Sequence, residues 1–357
     1  MRQAQIDQAV QQLKELYRRY GYTQYKMSKF EPYDLYVRNK SFLISEDILT
    51  FTDADGRLMA LKPDVTLSIV KDVKEGAGLQ KVYYLENVYR TSAMTRGFQE
   101  IMQTGLECVG EIDLVAMGEV LLLAAESLAL ISGDYLLDVG HLGFVAGLLD
   151  SAGAPGDSRK ELLERLAHKN TTALDALARE LGLDPGVSED LCRLAALYGP
   201  PEAVLRPLEK MVRNDRMAGA LAELREVCAL AEGKRLRLDF SIVNDMDYYN
   251  GLMFRGYLPG VPSGVLSGGR YDNLLRQMGR SGCAIGFAVY MNLLELMEDQ
   301  DTAFDADVLL LYHDKDPASD VFREAERYRR AGESVRVERQ TPEGLSFRTV
   351  RKVGEGT

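Results

Sequence analysis

Apolar residues recur at intervals of three and four from Ile6 through Ala9, Val10, Leu13, Leu16 and Tyr17, while Lys14, Arg18 and Arg19 take the other face. This spacing predicts an amphipathic opening helix that Gly21 would stop. The stretch that follows, to Asp34, is rich in aromatic and β-forming residues. Ile48–Thr52, the polar Asp53-Ala54-Asp55-Gly56 and Arg57–Leu61 then read as strand, turn and strand, with Gly56 free to take a positive φ. Pro63 opens a second helix over Thr66–Lys74. Val82–Arg90 alternates as a strand, Glu100–Val109 resembles another, and the polar loop Thr91–Gly97 between them makes the pair antiparallel. Met117–Ile131 reads as helix.

From about residue 140 to 233 the pattern becomes helical alone. Leucines cluster at helical spacing (Leu162, Leu163, Leu166; Leu174, Leu177, Leu181; Leu191, Leu194, Leu197; Leu221, Leu224, with Val227), and Pro155-Gly156, Pro185-Gly186 and Pro200-Pro201 separate the clusters. This predicts a helical insertion. Sheet character returns at Leu236–Ile242 and Leu252–Gly256, and the glycine-rich Ser263–Gly269 is expected to be a loop. Past Asp301 a strand (Val308–Tyr312), a helix (Pro317–Ala331) and a strand (Val335–Val337) form a β-α-β half-unit too small for a large independent domain. The expected class is α+β, with a core over residues 1–302 and a truncated α/β segment over 303–357.

The 357 residues carry 43 Lys and Arg against 54 Asp and Glu, a net charge of −11, so bulk charge predicts no broad nucleic-acid footprint. The apolar run Val120–Ala125 is cut by Glu126, far short of the ~20 residues a membrane span needs, and the N-terminus offers no apolar secretory region. A cytoplasmic location is expected. Cys108, Cys192, Cys228 and Cys283 are far apart, which argues against a zinc site or a disulfide framework.

Neither a GxxxxGK[ST] loop nor a GxGxxG following a strand occurs, so the common phosphate-binding fingerprints lend no support. His141, His168 and His313 lack ligand spacing, and no Ser-His or Cys-His pair can be named. What remains is polar residues on expected strands and their edges: Asp64, Thr66, Arg90, Gln103, Glu107, Asp247, Tyr249, Arg270 and Tyr271. Gln103 and Glu107 stand four apart, so on a strand they share a face, where burial is costly unless something polar meets them. A small polar ligand would do so, and so would a solvated face or an internal salt-bridge network.

Val82–Gly110 resembles motif 2 of class II aminoacyl-tRNA synthetases. Asp247-Tyr248-Tyr249, Gly268-Gly269-Arg270-Tyr271-Asp272 and Ala284-Ile285-Gly286-Phe287-Ala288 are similar to histidyl-tRNA synthetase signatures, in the expected order. The resemblance runs from the opening helix to about Asp299 and implies a class II synthetase-like core: an antiparallel sheet flanked by helices, dimeric through the first motif region, where Ser28 replaces the motif proline ahead of Glu31. It also implies a histidine pocket. Asp64, where the family usually has Glu, would meet the ammonium group with Thr66 and Gln103; Arg90 would face the carboxylate; Glu107, Tyr249 and Tyr271 would recognise the imidazole.

Three departures bear on catalysis. The arginine that stabilises the α-phosphate in the synthetases is Asn244 here, followed by Asp245; the motif 3 arginine is Leu293; and the motif 2 Arg-Tyr-Arg run is Gly97-Phe98-Gln99, with Arg96 one position away. Adenylyl transfer needs cations against developing charge, and losing one such donor costs ~10²–10³ in rate. With a C-terminus shorter than an anticodon-binding domain, these losses resemble the paralogous regulatory subunits of ATP phosphoribosyltransferase. That resemblance implies no catalytic residues, no cofactor, no metal and no tRNA. It implies a short-form catalytic subunit as partner, feedback by histidine in the first step of histidine biosynthesis, and a homodimer within a hetero-octamer. An active compact synthetase or an amino-acid ligase is the alternative, and both need ATP-binding cations.

Overall fold

The computed structural model describes residues 3–40, 43, 48–74, 76, 78–91, 97–242, 248–297 and 304–354. The chain packs as two units, Met1–Met297 and Glu298–Thr357. In the first, the opening helix Gln3–Arg19 buries Ile6, Ala9, Leu13, Leu16 and Tyr17, the stripe its spacing predicts. Tyr17 reaches the Ser127 hydroxyl at 3.0 Å, so even its polar tip is satisfied inside the core.

A nine-stranded sheet forms the centre, in the order Thr23–Gln24, Gln80–Thr91, Phe98–Gly110, Cys283–Tyr290, Leu266–Arg270, Leu252–Tyr257, Leu136–His141, Leu236–Asp239, Tyr198–Gly199. It is mixed rather than antiparallel throughout. Thr23–Gln24 runs parallel to Gln80–Thr91, and Leu136–His141 runs parallel to Leu236–Asp239. Parallel neighbours need a long crossover, and the helical segment between residues 141 and 236 supplies the second one.

That segment holds the helices Leu142–Ser151, Gly156–Ala167, Thr171–Glu180, Pro185–Ala196, Pro201–Glu209 and Asp215–Leu230. Side chains of Asn170, Asp184 and Asn214 accept from the first-turn N–H groups of the helices they precede. The segment is not helical alone, because Tyr198–Gly199 pairs antiparallel with Leu236–Asp239 at the sheet edge. Two residues are too few to leave a periodicity.

The glycine-rich run is a second correction. Leu266–Arg270 is a central strand, paired with Leu252–Tyr257 on one side and Cys283–Tyr290 on the other. Its glycines answer to crowding: a Cβ on Gly268 would stand 2.4 Å from both the Gly286 carbonyl and Phe287 Cβ.

Helix Leu114–Ile131, capped by the Asp113 side chain, is long and apolar enough to cross a membrane by length and composition, beyond the short run read from Val120 to Ala125. Its packing is that of a core helix. Val120, Leu121, Ala124 and Leu128 are fully buried, while Glu119 binds Lys81 and Tyr22, and Glu126 binds Lys234.

A smaller sheet joins Phe30–Pro32, Leu58–Leu61 and Thr50–Thr52. In its turn Gly56 takes φ +79° and the Asp53 carboxylate accepts from the Asp55 and Arg57 N–H groups. Helix Thr66–Asp72 follows, as Pro63 suggests. All four cysteines are free thiols.

The second unit is a parallel sheet of Val335–Glu338, Ala306–Leu311 and Phe347–Lys352, with helix Ala318–Arg330. The β-α-β half-unit therefore gains a third strand. Phe347–Lys352 is largely exposed and polar, so no apolar alternation announces it.

Candidate functional site

Strand register builds the floor of a cavity on one face of the central sheet. Glu107, Gly286, Gly269 and Met253 stand side by side across four strands, and the next row on that face is Gly105, Ala288, Ser267 and Arg255. Three of these eight positions are glycines because neighbouring carbonyls and side chains occupy the space a Cβ would take. A Cβ on Gly286 would lie 1.7 Å from Glu107 Oε2, one on Gly269 2.8 Å from the Tyr249 ring, and one on Gly105 2.7 Å from the Tyr84 hydroxyl.

The cavity measures about 410 Å³, within the range of small-molecule sites. Asp64, Thr66, Arg90, Gln103, Glu107, Tyr249 and Tyr271, the seven residues read from the sequence, all line it. Arg270 of the wider polar set does not; its guanidinium turns to Asp272 at 2.9 Å and Cys283 Sγ at 3.2 Å. Asp247, Asn244, Asp245 and Arg96 lie outside the described residues.

Glu107 is the electrostatic centre. It is 2% exposed, Thr66 Oγ1 donates to its Oε1 at 2.8 Å and the Tyr271 hydroxyl to its Oε2 at 2.5 Å. Burial pushes its carboxyl up to about 8, against those two hydrogen bonds. Asp64 is raised too, by burial first, with the Arg90 charge and the Leu67 N–H opposing. Its Oδ1 accepts from that N–H at 2.9 Å at the start of helix Thr66–Asp72, and its Oδ2 is 3.8 Å from Arg90. Arg90 also donates from Nε to the Pro63 carbonyl at 2.8 Å.

Gln103 is 3% exposed, and its Nε2 has no hydrogen-bond partner among the described residues. A buried amide donor left so costs free energy that a ligand acceptor would recover. Tyr248 and Tyr249 meet edge to face with centroids 4.6 Å apart, and Tyr248 lies 5.8 Å from Tyr271, so three aromatic rings form one wall. Such a site can hold a small polar molecule whose donor or cation faces Glu107.

Sequence reasoning missed Tyr84, Tyr248, Arg255, Ser267 and Tyr290, which also line the cavity. Gly105 and Gln103 face Tyr84 and Tyr290 across the register, a relation visible only once the strands are paired. His141 is structural: Nδ1 accepts from the Gly143 N–H at 3.0 Å and Nε2 is 2.8 Å from Glu223. Leu293 packs against the apolar core within the turn Met291–Leu296. No cluster of three metal-ligating side chains occurs among the described residues.

A family model described as histidyl-tRNA synthetase matches residues 1–294. An ATP phosphoribosyltransferase regulatory subunit from Clostridium kluyveri is 30% identical over 339 residues, covering 90% of this chain and 85% of the relative. One from Alkaliphilus metalliredigens is 28% identical over 331 residues, covering 89% and 84%. Among solved structures, an ATP phosphoribosyltransferase regulatory subunit/histidyl-tRNA synthetase from Bacillus halodurans superposes with a TM-score of 0.79 at 24% identity, covering 98% of this chain and 94% of that one. An ATP phosphoribosyl transferase (HisG:HisZ) complex from Thermotoga maritima does so at 0.64 and 19% identity, covering 80% and 97%. The class II synthetase-like core, the α+β class and the sequence relatives agree, and the chain belongs to the family of ATP phosphoribosyltransferase regulatory subunits, built on the histidyl-tRNA synthetase fold.

Proposed function

We propose that this chain is a non-catalytic histidine sensor: it activates a short-form ATP phosphoribosyltransferase catalytic subunit and carries feedback inhibition by histidine. The observation that carries the reading is Glu107, a buried carboxyl held by Thr66 and Tyr271 inside a cavity that all seven expected residues line. An imidazole N–H would donate to it. The ligand's ammonium group would meet Asp64, Thr66 and the Gln103 amide oxygen, and its carboxylate would meet Arg90, with the unpartnered Gln103 Nε2 free to donate to it as well.

Adenylate formation does not fit this chain. The position that holds the triphosphate in the synthetases is Leu293, a partly buried apolar side chain packed against the core, and a neutral side chain cannot offset developing charge. Asn244 adds to that in sequence. Inhibition requires only that histidine bind one state of the assembly better than another, and a preference of about 1–3 kcal/mol is typical. The assembly we infer is a homodimer within a hetero-octamer, with a cytoplasmic location.

The test is reconstitution. The purified chain is mixed with the short catalytic subunit, and phosphoribosyl transfer is measured with and without histidine. Activity that appears only in the mixture and falls with histidine supports the reading. Histidine-dependent pyrophosphate exchange by the chain alone would replace it with an active synthetase or ligase.

A further inference from the structure

The cavity is longer than one amino acid. Glu107 and Arg255 sit in adjacent rows of the floor, separated by three strand spacings of about 4.8 Å, on the order of 14 Å. A histidine molecule is roughly 7 Å long from its bond lengths. With its imidazole at Glu107 and its backbone toward Gln103, Asp64 and Arg90, it leaves the Arg255 end uncovered.

That end has its own chemistry. Among the described residues Arg90 has Asp64 as its carboxylate, but none stands within ion-pair distance of Arg255. Asp138, opposite Arg255 on the neighbouring strand, is already taken by Arg237, whose Nε and Nη2 reach its two oxygens at 2.6 and 2.7 Å. The Arg255 guanidinium donates to the phenol oxygen of Tyr257, which occupies one of its donors and leaves its charge without a carboxylate among the described residues. Gly264 lies against the Arg255 stem, where a Cβ would come within 2.7 Å of its Cγ and 2.8 Å of its Cδ, so the stem is held in place, and Arg255 lines the cavity. Ser267 is its cross-strand neighbour and Ala288 lies beyond, so a hydroxyl and a small side chain floor the space next to the guanidinium. Leu293 follows the Cys283–Tyr290 strand, two strands away from the one that carries Arg255.

We propose that the Arg255 end of the cavity is a separate compartment for a small phosphate-bearing ligand, bound by the Arg255 guanidinium and the Ser267 hydroxyl alongside the amino acid at the Glu107 end. A tetrahedral oxyanion offers acceptors to donors that converge from different strands, and arginine is the side chain best shaped to meet it. The compartment extends the reading of the cavity as a histidine site, and its phosphate binding does not depend on that reading.

Isothermal titration calorimetry of the full chain with inorganic phosphate, with acetate and with histidine tests it. Phosphate should give saturable heat with or without histidine, acetate should bind at least tenfold more weakly, and Arg255→Gln should weaken phosphate at least tenfold while changing histidine affinity less than about threefold. Ser267→Leu, which fills the compartment and leaves the cation, should give the same pattern and serves if Arg255→Gln does not fold. Phosphate bound equally by wild type and variants, or by neither, overturns the proposal, and acetate bound as well as phosphate overturns the phosphate class. Loss of histidine together with phosphate in Arg255→Gln would make Arg255 the partner of the amino acid's own carboxylate and sink the separate compartment. Absence of histidine binding with phosphate retained would sink the sensor reading alone.

Discussion

The Tyr271 hydroxyl stands 2.5 Å from Glu107 Oε2, although 164 residues separate the two in the chain. Tyr271 follows the last residue of strand Leu266–Arg270, and Glu107 lies in strand Phe98–Gly110, with strand Cys283–Tyr290 between them in the sheet. Gly286 in that intervening strand has no side chain to separate them. The hydrogen bond lowers the Glu107 pKa, yet burial outweighs it, so near neutrality the carboxyl is largely protonated and a cationic ligand would draw it toward its charged form.

Glu107→Gln keeps the shape and removes the charge. Histidine affinity of the isolated chain should fall at least tenfold, about 1.4 kcal/mol, because a neutral amide recognises a cationic or N–H-bearing ring less well. Assembly with the catalytic subunit should be unaffected, as the residue is buried. Calorimetry and size-exclusion chromatography read the two effects, and unchanged histidine affinity would remove Glu107 from the sensor.

The raised carboxyl also fixes the sign of a pH dependence. The folded protein holds the Glu107 proton up to about pH 8, whereas the unfolded chain releases it near 4.5, so between those values the native state binds more protons. Stability of the unliganded chain should therefore decline as pH rises from about 4.5 to about 8, by at most about 1.4 kcal/mol per pH unit from this group. Denaturant midpoints across that range should show a shallower decline in Glu107→Gln.

Tyr271→Phe takes away one of the two hydrogen bonds that hold the Glu107 pKa down. The carboxyl should rise further, and wild-type histidine affinity at neutral pH should be recovered only at higher pH. Affinity measured against pH reads the shift; a direct stability loss of about 1 kcal/mol accompanies it.

Gly286→Ala puts a methyl group 1.7 Å from Glu107 Oε2 and 2.4 Å from the Leu106 carbonyl. The carboxyl could swing aside, but the backbone oxygen of a paired central strand cannot. A loss of about 1–3 kcal/mol in stability, with weakened histidine binding, is expected from thermal melting and calorimetry.

Spacing alone placed Gln103 and Glu107 on one face, since a strand alternates every two residues, and the structure puts both in the cavity wall. The leucine clusters of the insertion were equally legible, because burying one face of a helix leaves a local period: Leu174, Leu177, Leu191 and Leu194 are all buried. The roles of Asp64, Thr66, Arg90, Tyr249 and Tyr271 came from motif resemblance, as no local pattern joins residues so far apart in the chain.

Strand order, and with it most of the cavity, belonged to the tertiary structure. Gly268 and Gly269 read as a loop in sequence, since glycine signals a turn unless one knows which rings and carbonyls crowd the strand. Arg255 carried no signal either, because its meaning depends on Ser267 across one strand boundary and on Asp138, already bound to Arg237, across the other. The sequence determined which faces are apolar and which polar residues demand a partner, since those follow from local periodicity and desolvation. Which of these residues meet depends on long-range pairing, and only the folded sheet decided it.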